Sequence, residues 1–82
     1  MTFDERVELA ARLLRLPLEE ARDYSGIIPG SNDLYLSVPT RGGISLIVGE
    51  DGSVLRATSA MGFDQHYDAF RQGERTPLSY FD

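Results

Sequence analysis

Apolar residues recur at helical spacing in the first part of the chain. Steps of three or four residues separate Phe3, Val7, Ala10 and Leu14. This spacing is typical of a helix with one buried face, and Thr2 and Glu5 stand at the spacing of a capping box. The pattern predicts an amphipathic α-helix over roughly residues 3–15, which ends before Pro17 because proline cannot continue a helix.

A shorter helix is predicted next, followed by a loop. Residues 17–24 (PLEEARDY) begin with proline, which is favoured in the first turn of a helix. Glu19 and Glu20 then lie near the positive end of the helix dipole. Residues 25–33 (SGIIPGSND) are rich in glycine, proline and small polar residues, and this composition predicts a loop.

Three short apolar segments with turn residues between them predict β-strands. They are residues 34–38 (LYLSV), 44–48 (ISLIV) and 54–58 (VLRAT). Residues 50–53 (EDGS) indicate a tight hairpin, because glycine readily adopts the positive φ that such turns need. Since the connections are short, we expect the three strands to form an antiparallel meander.

The chain then returns to a helix. Phe63, Tyr67 and Phe70 predict a helix over about residues 63–72 whose aromatic side faces the sheet. Gly73 ends this helix, because glycine is favoured just beyond a helix C-terminus.

The last residues are too apolar to remain free in water. Pro77 favours an extended conformation in the residue before it, which predicts a strand-like arm over residues 76–81. Burial of a large apolar side chain is worth about 1.5–3 kcal/mol. We therefore predict that Leu78 and at least one of Tyr80 and Phe81 pack against the body of the domain or against a partner.

The order of the elements predicts the fold class. Two helices, three strands and a last helix (ααβββα) in 82 residues make a single α+β domain, residues 1–82. We expect two layers, with the helices on one face of a three-stranded sheet. The other face would then stay open, with Tyr35, Ile47 and Val54 or Leu55 on it, and open apolar faces mediate association.

The charge balance limits the classes of partner. The chain has 13 acidic and 8 basic residues, which gives a net charge of −5. Nucleic-acid binding requires a basic surface, whereas the basic residues here are spread along the chain without a basic run. The sequence therefore predicts no nucleic-acid binding, and an acidic domain is suited to a basic protein partner.

Other compositional features concern the cellular compartment. The chain has no cysteine, which excludes disulfides and thiolate metal sites. Its N-terminal segment carries charges throughout, unlike the apolar core of a signal peptide. No stretch approaches the roughly 20 apolar residues of a membrane span. We expect a soluble cytoplasmic protein that does not bind membranes.

Candidate catalytic groups are few. His66 is the single histidine, but Asp64 and Asp68 share one face of the predicted helix while His66 points away from both. These three side chains therefore cannot converge on a metal, and a solvated helix surface is expected. No serine sits in a nucleophile elbow, and the paired acids at 19–20 and 50–51 lie at a helix start and a hairpin tip. The sequence predicts no enzyme, no catalytic or metal-binding residue and no cofactor.

Residues 44–71 carry a pattern of elements that resembles a known family. An apolar strand, an acidic glycine hairpin, a second strand, a step of small residues and a helix follow one another as ISLIVGEDGSVLRATSAMGFDQHYDAFR. This segment, about a third of the chain, resembles the YrhB-like family of small bacterial proteins, a group linked to immunity proteins of polymorphic toxin systems. The resemblance implies that the partner is a toxin.

Three functional hypotheses follow from these features. The first is a small acidic protein-binding domain, such as an immunity protein that occludes a basic toxin. Its candidate contact surface consists of Glu50, Asp51, Asp64 and Asp68. The second is a self-associating structural or accessory domain, a homodimer that pairs through the open face of the sheet. The third is a small-ligand binder, with a groove between the last helix and the sheet near His66 and Arg41.

Overall fold

Three α-helices, four strands and one short 3-10 helix make up the fold in the computed structural model, which describes residues 1–39, 43–58 and 60–81. In chain order they are α1 (Phe3–Leu14), α2 (Leu18–Tyr24), β1 (Ser25–Ile27), β2 (Leu34–Ser37), β3 (Ser45–Val48), β4 (Val54–Ala57), α3 (Phe63–Arg71) and the 3-10 helix (Leu78–Phe81). The predicted α+β class is confirmed, and each predicted helix and strand is present within one or two residues of its expected bounds.

α1 begins with the predicted capping box. The Thr2 hydroxyl accepts a hydrogen bond from the Glu5 N–H (3.1 Å), and the Glu5 carboxylate accepts one from the Thr2 N–H (2.8 Å). These bonds, chiefly the one from the Thr2 main chain, hold the pKa of Glu5 below its ordinary value. α1 has 12 residues, and no helix in the described part of the chain is long and apolar enough to cross a membrane.

The strands form one antiparallel sheet in the order β1-β2-β3-β4. β2 pairs with β3 from Leu34 opposite Val48 to Ser37 opposite Ser45, and β3 pairs with β4 beyond it. The predicted hairpin joins β3 to β4, and Gly52 supplies its positive φ of 86°. The predicted antiparallel meander is therefore confirmed for these three strands.

β1 is a fourth strand that the sequence analysis missed. Residues 25–33 were expected to be a loop, but β1 pairs antiparallel with β2 and sets Gly26 opposite Tyr35. α2 passes directly into β1, so no turn residues mark where the strand begins. The β-branched pair Ile27 and Ile28 favours an extended conformation, and only the residues after this pair form the turn to β2.

Helices cover both faces of the sheet, so the predicted two-layer arrangement is wrong. α1 and α2 pack on one face, against the buried side chains of Leu34, Leu36, Leu46 and Val48. α3 packs on the opposite face, where Phe70 joins Ile47 and Ile28 in a smaller cluster. Three consecutive residues of β3, including Ile47, are buried. This continuous burial is expected of a strand that is covered on both sides.

The residues expected on an open face divide between the two sides. Val54 belongs to the cluster beneath α1 and α2. Tyr35 and Leu55 pack, half-buried, beside Ile47 under α3. Since Ile47 is 0% exposed, the open apolar face expected for self-association is covered at its centre.

The C-terminal segment closes the β4 edge of the sheet. The Thr76 N–H donates to the Val54 carbonyl (2.8 Å), and the Thr76 hydroxyl accepts from the Arg56 N–H (2.9 Å). Beyond this point the expected extended arm is wrong, because the Tyr80 N–H donates to the Pro77 carbonyl (3.0 Å) and the chain coils into the 3-10 helix.

The 3-10 helix makes this segment shorter than an extended arm would be. As a result, Phe81 contacts the core, whereas Leu78 does not. Phe81 is half-buried against the cluster under α1 and α2, as predicted. Leu78 and Tyr80 are 54% and 59% exposed. Leu78 is therefore not packed on the body of the domain, and the alternative that it packs against a partner stays a prediction.

Candidate functional site

A pocket of about 320 Å³ opens on the α3 side of the sheet, beside β1. The rings of Tyr24, Tyr35 and Phe63 line it together with residues 25–29 and Ser37. Phe63 is 39% exposed although it is a large apolar side chain. An apolar, partly aromatic lining of this kind is typical of a ligand or partner site.

Gly26 explains why this pocket exists. Residues directly opposite each other in a sheet share a face, so a side chain at Gly26 would lie beside its partner Tyr35. A Cβ placed on Gly26 would have no neighbouring atom within 4 Å, and the φ of Gly26 lies in the range that other residues adopt. The missing side chain in β1 therefore leaves a space that the fold does not otherwise fill.

The aromatic wall of the pocket is held in place by ring packing. Phe63 meets Tyr35 edge to face, with ring centroids 4.9 Å apart, and stacks on Tyr67 at 5.9 Å. The Tyr35 hydroxyl lies within hydrogen-bond distance (3.1 Å) of the Ser45 hydroxyl on β3. These contacts fix the rings of Tyr35 and Phe63, although Phe63 stays partly exposed.

The outer edge of β1 lies next to the pocket and carries main-chain groups that point away from the sheet. The Ile28 N–H donates to the Asp33 carbonyl (2.9 Å). Hydrogen-bonded positions alternate along an antiparallel pair, so Gly26 also faces β2, whereas Ile27 between them turns its N–H and C=O outward. Among the described residues no strand lies beyond β1. The other edge of the sheet, at β4, is covered by Thr76.

His66 is buried, so the prediction that it lies on a solvated helix surface is wrong. The residue is 1% exposed, and Nε2 lies 2.8 Å from the Leu55 carbonyl oxygen. Because a carbonyl only accepts, Nε2 carries the hydrogen and Nδ1 keeps a lone pair. In the described part of the chain this Nδ1 has no hydrogen-bond partner. Burial lowers the pKa of His66, although the bond to Leu55 opposes the shift.

The four acidic residues predicted to contact a partner are all exposed, but they occupy two places. Glu50 and Asp51 lie in the β3–β4 hairpin, whereas Asp64 and Asp68 lie one turn apart on α3. The Asp51 carboxylate accepts bonds from the Ser53 N–H (3.0 Å) and hydroxyl (2.7 Å), and these bonds, the first above all, lower its pKa. Asp51 is thus engaged in shaping the hairpin.

α3 separates these acidic residues because it crosses the sheet. Its first turn lies against β2, where Phe63 meets Tyr35. Its last turn lies against the hairpin, since Phe70 packs beside Gly49. Asp64 therefore lies at the pocket end of α3, and the hairpin acids lie at the other end.

A second buried polar group, Arg6, supports the turn that borders the pocket. Arg6 is 5% exposed, and its Nη1 donates to the carbonyls of Asn32 and Val48. Its Nε has no hydrogen-bond partner among residues that the structure describes. The side chain ties α1 to the turn between β1 and β2. Arg6 stands three residues after Phe3, on the apolar stripe of α1. This position is the sequence feature that could have predicted its burial.

The groove expected near His66 and Arg41 is not where the pocket lies. The pocket is formed at the start of α3 rather than around His66. Arg41 lies outside the described residues. The sequence clue to the pocket was the run from Tyr24 to Ile28, in which a glycine stands between larger residues of an extended segment.

Comparisons with models of known protein families, with curated proteins and with solved structures gave no significant match. The resemblance of residues 44–71 to the YrhB-like family therefore stays a prediction. The candidate site rests on the geometry of β1, β2 and α3.

Proposed function

We propose that the chain is a protein-binding domain that holds its partner at the pocket and at the adjoining outer edge of β1. The observation that carries the proposal is an aromatic-walled pocket directly beside a strand edge whose main-chain groups point to solvent. Aromatic residues are enriched at the centres of protein contacts, and a strand edge offers main-chain hydrogen bonds to an extended segment. Phe63 suits such a contact because its ring is anchored yet 39% exposed.

The charge of the chain supports a basic partner. Its net charge is −5, and Asp23 and Asp64 are exposed residues that adjoin aromatic residues of the pocket in sequence. Opposite charge around an apolar contact speeds association and selects the partner. Glu50, Asp51 and Asp68 add to the same negative field from a greater distance. An immunity protein that occludes a basic toxin, as the YrhB-like resemblance implies, would have these properties.

We also propose that the domain is not an enzyme. Among the described lining residues of the pocket, the polar side chains are the hydroxyls of Tyr24, Ser25, Tyr35 and Ser37. His66, the single histidine, is buried with its Nε2 bonded to the Leu55 carbonyl. A general base must reach the proton that it removes, and this ring is enclosed instead.

Two other occupants of the site have a specific observation in their favour. A small apolar ligand fits the pocket volume of about 320 Å³, which is at the lower end of the usual range of roughly 300–1,000 Å³ for ligand sites. A second copy of the chain would find a free strand edge at β1. Two copies with a net charge of −5 each would repel, however.

Site-specific photo-crosslinking tests the proposed surface. A photoreactive phenylalanine analogue replaces Phe63 in cells that naturally express the chain. The matched control carries it at Tyr80, an exposed aromatic residue at the β4 side of the sheet. We expect capture of a basic protein from position 63 and not from position 80. Capture should fall when Gly26→Val fills the pocket.

The outcomes separate the candidates. Equal capture from both positions, or capture that Gly26→Val leaves unchanged, contradicts the proposed site. Capture of only a second copy of the chain favours self-association. Failure of any protein to crosslink at position 63, together with binding of a small apolar molecule to the pocket, favours the ligand-binding alternative.

A further inference from the structure

We infer that the partner contributes an extended basic segment that adds to the sheet as a further strand beside β1 and places an apolar side chain in the pocket. This inference rests on the proposed protein-binding function and specifies the chemistry of the partner. Three features support it: the orientation of the β1 main chain, the position of the pocket relative to Gly26, and the negative charge of the chain, with exposed acidic residues next in sequence to Tyr24 and Phe63.

The main chain of β1 has the geometry that strand addition requires. The Ile27 N–H and C=O point away from β2, as the bond from Ile28 to Asp33 establishes. The Ser25 N–H is already bonded to the Arg22 carbonyl, which leaves the Ser25 carbonyl as the next outward acceptor along the strand. The edge is therefore open for a short added segment, while the β4 edge is closed by the C-terminal chain.

The pocket lies where the side chain of an added strand would point. A partner residue opposite Ile27 would exchange main-chain hydrogen bonds with it. The adjacent residue of the partner segment would then lie opposite Gly26. Side chains directly opposite each other share a face of the sheet, so this neighbour would project on the face of Tyr35. That face holds the pocket beneath Phe63, and its apolar lining suits a large aliphatic or aromatic anchor.

The negative charge of the domain indicates which residues of the partner segment lie beside its apolar anchor. Asp23 and Asp64 are exposed and flank the pocket in sequence, next to Tyr24 and Phe63. A lysine or arginine beside the apolar anchor would be attracted by these exposed carboxylates and by the net charge of −5. A second copy of this chain would bring its own net charge of −5 to the contact, so like charges disfavour it as the occupant.

Selection from a library of displayed nine-residue peptides tests the chemistry of the segment. We expect the selected peptides to share an aliphatic or aromatic anchor with a lysine or arginine one or two residues away. Their affinity should fall as salt is raised, because screening weakens the attraction to exposed carboxylates. Peptides in which glutamate replaces the basic residue are the matched control, and they should bind about tenfold more weakly or not at all.

N-methylation of a selected peptide tests the added strand. Alternate peptide amides would donate to β1, and those between them would face solvent. N-methylation at successive positions should therefore lower the affinity about tenfold at two positions, two residues apart, whose amides would donate to the Ser25 and Ile27 carbonyls. The unaffected positions serve as internal controls, because each carries the same chemical change.

Two substitutions at β1 test the same point on the protein. Ile27→Pro removes the outward N–H, and an edge strand tolerates proline where its N–H faces solvent. Ile27→Ala keeps the N–H and controls for the lost side chain. We expect Ile27→Pro to weaken binding of the selected peptide about tenfold relative to Ile27→Ala, and Gly26→Val to abolish it.

The outcomes distinguish the inference from the proposed function. If Gly26→Val abolishes binding while Ile27→Pro and the N-methyl series have no effect, the pocket binds a side chain without strand addition. That result overturns the inference and leaves the protein-binding site in place. Selection of no peptide, or of acidic peptides, also overturns the inference, whereas capture from position 63 decides the proposed function independently. Folding of each variant is checked by its melting curve.

Discussion

The two faces of the sheet are packed to different degrees. Under α1 and α2, eleven buried residues of the described chain form one cluster, which includes Leu34, Leu36 and Leu46. Under α3, the buried cluster contains Ile28, Ile47 and Phe70, and half-buried rings surround it. Since apolar burial is the main favourable term in folding, the first face provides most of the stability. The second face is left with aromatic surface and a pocket that can serve binding.

The buried polar groups do not follow this contrast, because each side of the sheet holds one that is incompletely satisfied. His66 holds α3 to β4 by one hydrogen bond to Leu55, and its second nitrogen is unpartnered within the described residues. A buried polar group without a partner lowers stability. Arg6 on α1 likewise has an unpartnered Nε within the described residues. The difference between the two faces therefore rests on their apolar packing and not on their polar groups.

The largest effect is expected from a change in the cluster under α1 and α2. Leu36 is 0% exposed, so Leu36→Ala should lower the free energy of unfolding by about 2–5 kcal/mol. The matched control is Leu78→Ala, since Leu78 is 54% exposed and should change it by no more than about 0.5 kcal/mol. Urea denaturation of both variants measures the difference. Equal effects would mean that the cluster under α1 and α2 is not the main source of stability.

A smaller loss is expected when the C-terminal segment is removed. Deletion of residues 76–82 exposes the β4 edge, which Thr76 covers with two hydrogen bonds, and removes the Phe81 ring from the core. We expect the melting temperature to fall by roughly 4–12 °C, since about 1 kcal/mol corresponds to 4–8 °C in a domain of this size. Phe81→Ala isolates the packing contribution. An unchanged melting temperature after deletion would show that this segment does not stabilise the fold.

The next effect depends on pH and concerns His66. Because burial lowers its pKa in the folded protein, the unfolded chain binds a proton more readily. The free energy of unfolding should be level above the unfolded pKa of about 6.5. It should fall as the pH drops from there towards the folded pKa.

Denaturation at about pH 7 and pH 5.5 measures this dependence while most carboxylates stay ionised. His66→Gln is the control, because its amide can donate to the Leu55 carbonyl but does not titrate in this range. The variant should lose most of the decrease seen in the native protein. A decrease of equal size in both proteins would assign the pH effect to other groups.

Much of the fold could be predicted because local patterns determine it. The capping box of Thr2 and Glu5, the hairpin at Gly52 and the helical spacing of Phe63 and Phe70 each depend on residues close in sequence. The side of the sheet on which a helix packs depends instead on long-range contacts. The run of apolar residues in β3 was the feature that indicated helices on both faces. Ile47 points to the face opposite that of its two neighbours, and all three are buried, so both faces must be covered.

The candidate site was harder to predict because it depends on an absent side chain. The composition of residues 25–33 is typical of a loop, yet pairing with β2 makes a strand of its first part. Only the strand register shows that Gly26 lies opposite Tyr35. Because Gly26 has no side chain, the space beside Tyr35 stays empty and forms the pocket. For His66, the spacing from Phe63 and Phe70 placed it on the buried stripe of α3. Comparison with the two aspartates alone gave the wrong orientation.

The smallest effect on stability is expected at the pocket itself. Gly26→Val should leave the melting temperature unchanged or raise it by a few degrees, because its Cβ would meet no atom within 4 Å and valine favours an extended conformation. Gly52→Val is the matched control, since φ is +86° there and a Cβ would lie 2.7 Å from the Met1 sulfur. That variant should lose about 1 kcal/mol or more. If Gly26→Val instead melts well below the native protein, the space beside β1 belongs to the packing of the fold, and the α3 face is not free to bind.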